Sequence, residues 1–136
     1  MPPYLLVRCK KFIMCESILI SVVDDDNSVR ESLPDLLREF GFVAETFSSA
    51  EEFLASDFLE QTKCLVLDIT MPGMSGPDLQ QELARRGQEI PIVFITARGE
   101  ESVRLRLIEI GAIECLFKPF RESALLEAIN LALRVN

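Results

Sequence analysis

The chain has 136 residues, room for one ordinary domain; 49% are hydrophobic and the net charge is −8. Such a composition builds a core and excludes a disordered chain, while the acidic balance argues against direct nucleic-acid binding, which needs a basic patch to neutralise phosphates. Histidine is absent, which removes His-ligated zinc, histidine general bases and Ser-His-Asp triads together.

Residues 1–16 precede the first regular pattern and read as a flexible arm or a mis-assigned start, leaving 17–136 as the domain. Arg8, Lys10 and Lys11 interrupt the apolar patches of this segment, so it makes no convincing signal peptide. No apolar run reaches the roughly 18 residues that span a bilayer. The cysteines Cys9, Cys15, Cys64 and Cys115 form no CxxC pair and show no metal-ligand spacing. Cys64 and Cys115 sit in apolar runs, where a free cysteine is a small buried hydrophobe. Free thiols fit a reducing compartment, so the expected location is the cytoplasm.

From residue 17 onward short apolar runs alternate with stretches of helical spacing. "ILISVV" (18–23), "VAETF" (43–47), "CLVLD" (64–68), "IVFIT" (92–96) and "ECLF" (114–117) read as strands. Val29, Leu33, Leu36, Leu37 and Phe40 recur at three and four, as do Leu79 with Leu83, and Leu125 with Ile129 and Leu133. Gly41, Gly87 and Gly111 follow three helix candidates, where a left-handed C-terminal residue belongs. Ser48 and Ser49, three residues before Glu51 and Glu52, carry a capping-box signature for a short second helix. Pro77 fits the first turn of the third helix. Pro34, inside the first pattern, is expected to kink that helix or cost it a hydrogen bond.

Strand and helix alternating five times predict an α/β fold: a five-stranded parallel sheet, flavodoxin-like with order 2-1-3-4-5, covered by helices on both faces. Its functional crevice lies at the carboxyl ends of the strands, near the switch between strands 1 and 3. Asp24 and Asp25 stand at the end of strand 1, Asp68 at the end of strand 3, Thr96 with Ala97 at strand 4, and Lys118 at strand 5. Taken singly, each has a plain structural reading. Asp24, Asp25 and Asp26 also precede a helix, where aspartate is a preferred cap. Yet two carboxylates about 4 Å apart repel by roughly 4 kcal/mol at an effective dielectric of 20. A cation or phosphate site is therefore the rival reading. The set suits phosphoryl transfer to an already ionised Asp, with a hard divalent cation held by oxygen ligands, and with Lys118 and the Thr96 hydroxyl serving further phosphoryl oxygens.

"VVDDD", "LVLDITMPGMSG", "FITARG" and "LFKPF", in that order, resemble the receiver domain of bacterial two-component response regulators across 17–136. The resemblance implies that Asp68 is the phosphoacceptor, charged by a phosphohistidine on a sensor histidine kinase. It implies that Asp25 ligates Mg²⁺ (or Mn²⁺) directly and Asp24 through water, with Asp68 and the backbone carbonyl of Thr70 completing the protein's share. Thr96 matches the switch hydroxyl and Lys118 the phosphate-binding lysine, and the Lys118–Pro119 bond is expected to be cis. Signalling would run through a changed surface of helix 4, strand 5 and helix 5, also the family's usual homodimer face. Its only chemistry would be weak autophosphorylation and autodephosphorylation, so no enzyme is expected.

Two positions depart from the family's pattern. Cys115 occupies the switch slot, three before the lysine, where a Tyr or Phe is usual. Reversing a 1:99 equilibrium takes about 5.5 kcal/mol of preference, and a cysteine has little bulk to contribute, so an incomplete shift is expected. In the fourth helix, "ESVRLRLIEIG" (101–111), Arg104, Leu107 and Ile110 replace residues that are often small, and Arg104 and Arg106 read as solvated. The alternative function is a receiver-like interaction module with weak or lost phosphorylation readout. A phosphatase of the haloacid-dehalogenase type lacks its second acid, because Asp68 is followed by Ile69 and Thr70. An FMN binder would need a Ser/Thr/Gly-rich phosphate loop. "FSSAEEFL" and "GMSGPDLQ" resemble receivers fused to helix-turn-helix transcription factors, which implies a DNA-binding output domain in a longer protein; a stand-alone receiver is the other possibility.

Overall fold

Central strands buried on both faces decide the architecture. The computed structural model describes residues 17–134, so the expectations for residues 1–16, Cys9 and Cys15 included, lie outside the described residues. In chain order the elements are β1 (Leu19–Val23), α1 (Asn27–Glu39), β2 (Val43–Phe47), α2 (Ala50–Leu54), a 3₁₀ turn (Leu59–Gln61), β3 (Thr62–Asp68), α3 (Gly76–Arg85), β4 (Ile92–Thr96), α4 (Glu101–Glu109), β5 (Glu114–Phe117) and α5 (Glu122–Arg134). All strand pairs are parallel and the sheet order is β2-β1-β3-β4-β5, as expected from the sequence.

Successive side chains of a strand face opposite ways, so a strand buried on both faces is apolar throughout. Ile20, Val22, Cys64, Val66, Val93 and Ile95 pack with Leu33 and Leu37 of α1 and Leu125 and Ile129 of α5. Leu65, Leu67, Ile92, Phe94 and Cys115 pack on the other face with Phe53 of α2, Leu79 and Leu83 of α3, and Leu107 of α4. Fully burying side chains of this size contributes about 1.5–3 kcal/mol each, which holds the helices to both faces. The buried hydroxyls do not break this pattern: Ser21 Oγ and Thr62 Oγ1 lie 2.7 Å apart, and Thr62 Oγ1 donates to the Phe58 carbonyl.

Helix ends follow the local chemistry. Asp26 caps α1 by accepting from the Ser28 amide at 2.9 Å. Ser49 caps α2 through the Glu52 amide, while Glu52 reaches back to the amide of Ser48 rather than of the cap itself. Ser75 and Asp78 form a reciprocal capping box at α3, with Pro77 in its first turn. Gly41, Gly87 and Gly111 all have positive φ, as their places after α1, α3 and α4 predict.

Of the two outcomes expected for Pro34, the lost hydrogen bond holds: α1 runs unbroken through the buried proline, which leaves the Arg30 carbonyl without its amide partner. One expectation about α1 needs correcting. Phe40, expected on the buried face, is the C-cap residue and 43% exposed.

Candidate functional site

A parallel sheet places every strand's carboxyl end at one edge, and here four of those ends carry polar side chains. Asp24, directly after β1, is fully buried, and its amide donates to the Phe47 carbonyl at 3.1 Å. Its carboxylate accepts from the Asp26 amide and from Lys118 Nζ, both at 2.9 Å. Its carbonyl accepts from the Arg30 guanidinium at 2.8 Å. Asp25 and Asp26 are exposed. The three adjacent acids thus have three different situations: one buried and ion-paired, one free to face the cleft, one occupied as a helix cap.

Asp68 ends β3 and is 6% exposed. The loop after it is closed by the Gly76 amide, which donates to the Ile69 carbonyl at 2.9 Å. Thr96 ends β4, buried, and its Oγ1 accepts from the Arg98 amide at 3.1 Å. Lys118 follows β5, positioned by its amide N–H, which donates a hydrogen bond to the Thr96 carbonyl at 2.8 Å, and Lys118–Pro119 is cis as expected.

A cleft of about 260 Å³ opens among these ends, lined by Asp25, Asp26, Asp68, Thr70, Thr96, Ala97, Arg98 and Lys118. Carboxylate oxygens of Asp24, Asp25 and Asp68 lie within 4.8 Å of one another. Burial, then the neighbouring Asp24 charge, push the Asp68 carboxyl up to about 7; Lys118 and a backbone hydrogen bond from Thr70 pull the other way. Burial works against the Lys118 ammonium, but its hydrogen bond to Asp24 and the charges of Asp24 and Asp68 hold it above the usual lysine value. Three crowded carboxylates with no nitrogen or sulfur donor match the ligand chemistry of a hard divalent cation. The donor set therefore fits Mg²⁺.

The structure brings Asp24, Asp25, Asp68, Thr70, Thr96 and Lys118 together as the sequence pattern expects. Cys115 is elsewhere: 2% exposed on the α4 side of the sheet, beside Phe94 in register, with its thiol pushed up to about 11 by burial. Cys64 is likewise buried and pushed up to about 12. Both thiols are protonated at neutral pH, as small buried hydrophobes should be. Arg104 does not read as solvated once the fold is known. It pairs with Glu114 of β5 at 3.0 Å and with Glu101 at 2.8 Å.

Sequence reasoning missed three contributors. Arg98 on the cleft rim and Arg30 behind Asp24 had no pattern to announce them. Gly76 had one, a glycine at a helix start eight residues after Asp68, but its function is visible only in the close approach of α3 to the Asp68 backbone.

Residues 20–130 match the family model of the response regulator receiver domain. The chain belongs to that family. This receiver domain is 44% identical over 117 residues to the response regulator protein TodT of Pseudomonas putida, an alignment covering 86% of the chain and 52% of TodT. It is 46% identical over 114 residues to nodulation protein W of Bradyrhizobium diazoefficiens, covering 84% of the chain and 50% of that protein. The chain spans about half the length of the curated relatives it matches. Among solved structures, the response regulator StyR is 52% identical with a TM-score of 0.81, covering 89% of this chain and 61% of that one. The structure named FixJ-N is 34% identical with a TM-score of 0.77, covering 88% and 96%. A receiver domain is a signalling module of two-component systems. Among the described residues no helix is long and apolar enough to cross a membrane.

Proposed function

We propose that Asp68 accepts a phosphoryl group from a phosphohistidine of a sensor histidine kinase in a Mg²⁺-dependent reaction. The observation that carries this reading is the convergence of Asp24, Asp25 and Asp68 within one ligand sphere beside Lys118. A carboxylate oxygen of Asp68 attacks phosphorus, the P–N bond to the imidazole breaks, and its electron pair leaves on the ring nitrogen. Mg²⁺ (or Mn²⁺), when bound there, would supply the positive charge that offsets the phosphoryl oxygens and the acids that hold it. Asp25 and Asp68 would hold it directly, Asp24 through water, and the Thr70 carbonyl would serve as a further ligand. Lys118, already poised between Asp24 and the cleft, balances a second oxygen, and the Thr96 hydroxyl donates to a third.

Phosphorylation then alters the α4–β5–α5 face, which serves as the homodimer surface. The name of FixJ, a transcriptional regulatory protein in Rhizobium meliloti and 35% identical over 113 residues, supports a DNA-binding output domain as the receiver's working partner in a cytoplasmic regulator. Incubation with Mg²⁺ and acetyl phosphate, followed by intact mass, should show one base-labile phosphoryl adduct that disappears in metal-free buffer. No adduct in the wild type would favour the interaction-module reading instead.

Single alanine substitutions should separate the three adjacent acids in a Mg²⁺ titration. Asp25→Ala should weaken binding most, by tenfold or more on the order of 1.4 kcal/mol per decade. Asp26→Ala should leave Mg²⁺ affinity near wild type and cost about 1 kcal/mol of stability through the lost cap. An Asp26→Ala effect as large as that of Asp25→Ala would place the ion elsewhere.

Affinity should also depend on pH in a defined direction. Below about 7 the Asp68 carboxyl holds a proton that Mg²⁺ must displace. Apparent affinity should therefore fall up to about tenfold per unit as pH drops from 7 towards 5, and level off above 7. Calorimetric titrations across that range check it; a flat profile would show that Asp68 is ionised without the metal.

A further inference from the structure

Phe117 is the last residue of β5, on the same face as Cys115 and directly before Lys118. In the parallel register it is the partner of Thr96. Its half-buried ring packs against the cluster containing Leu107 of α4 and Ala112. The ring also lies across the backbone of Gly99: a Cβ there would come within 2.5 to 2.9 Å of ring atoms Cγ, Cδ2 and Cδ1. Only a residue without a side chain leaves room for that seat.

Gly99 is in turn tied to Thr96. The Thr96 hydroxyl accepts from the Arg98 amide at 3.1 Å and reaches the Arg98 carbonyl at 3.5 Å. That carbonyl belongs to the peptide unit leading into Gly99. A Thr96 hydroxyl that turns its proton to a phosphoryl oxygen gives up the Arg98 carbonyl, which frees this peptide and with it the seat of the ring. On the far side, Arg104 of α4 is held to Glu114 at the start of β5. A shift of β5 is thereby passed to the helix that exposes Leu105 and Ile110.

We propose that Phe117, seated on Gly99, is the positioning residue that carries the state of Thr96 to the α4–β5 surface, and that Cys115 is only core. The inference rests on the reading of Asp68 as the phosphoacceptor and adds to it the residue that reports its state.

Beryllium fluoride with Mg²⁺, added to the ¹⁵N-labelled receiver domain, tests both separately by amide shifts. Residues Asp68, Ala97 and Lys118 report occupancy; Leu105, Ile110 and Glu114 report the surface. The wild type and Cys115→Ala should shift both sets. Phe117→Ala, and Phe117→Leu as the variant that keeps most of the apolar volume, should shift the first set and lose the second. Gly99→Ala, which must displace the ring, should show altered surface shifts before any fluoride is added. Surface shifts of wild-type size in the Phe117 variants, or their loss in Cys115→Ala, would overturn the inference while leaving the phosphoacceptor reading intact. An absence of occupancy shifts in the wild type would overturn that reading and the inference with it.

Discussion

Asp68→Asn is expected to abolish the phosphoryl adduct and, in metal-free buffer at neutral pH, to make the domain more stable. The first effect follows because an amide oxygen is not a carboxylate nucleophile, and no other acid stands in Asp68's position at the end of β3. The second follows from electrostatics. Asp68 is buried beside a buried Asp24, and its carboxyl is raised to about 7, against an ordinary aspartate value of about 4. The folded state thus binds this proton more tightly than the unfolded chain does. Between about pH 4 and pH 7 the unfolded state gives up its proton first, so stability falls as pH rises through that window and stays low above it. The loss is on the order of a few kcal/mol. Asparagine carries no charge and lacks that slope. Thermal melts with a chelator should show an advantage for Asp68→Asn that is large at pH 8 and small near pH 5. Mg²⁺ should narrow the gap by stabilising the wild type alone. Equal melting behaviour at both pH values would mean that the Asp24–Lys118 pair already relieves the strain on Asp68.

Most of the fold is legible in the sequence because a doubly covered parallel sheet leaves a plain trace. The runs 43–47, 92–96 and 114–117 coincide with β2, β4 and β5. β3 begins at Thr62, two residues before the apolar run, because Thr62 buries its hydroxyl against Ser21. Apolar patterning cannot show a polar residue made acceptable by a partner 41 positions away. The same limit governs the site. Each polar residue at a strand end was visible as the break in an apolar run, and the parallel topology brought them together. The pairing of Asp24 with Lys118 was not visible, since 94 residues separate them and each had only its own neighbourhood to be read from. Phe117 shows the limit at its sharpest: two residues from Cys115, it is ordinary until Gly99 is found beneath its ring.

Gly76→Ala is the second change with a large expected effect, and it touches no functional group. Gly76 opens α3 and closes the loop that leaves Asp68, through the hydrogen bond its amide N–H donates to the Ile69 carbonyl. A Cβ at this position would collide with the Asp68 carbonyl oxygen and come within 3.0 Å of Ile69 Cα and Phe94 Cε1. Two of these atoms are backbone and the third belongs to a fully buried ring, so nothing nearby can swing aside. Relief requires α3 to move off the sheet or the Asp68 backbone to shift. Overpacking of this kind costs about 1–3 kcal/mol, and here the displaced backbone is that of Asp68, proposed above as a cation ligand. Gly76→Ala should therefore lower both the urea midpoint and the Mg²⁺ affinity. Gly87→Ala is the control: its φ is +74 and nothing lies within 4 Å, so it should lose about 1–2 kcal/mol to the left-handed backbone alone and leave Mg²⁺ affinity unchanged. If Gly76→Ala destabilised the fold with wild-type Mg²⁺ affinity, the close approach of α3 would serve packing only, and the position of Asp68 would be set by β3 and the Ile69–Ile95 backbone bond.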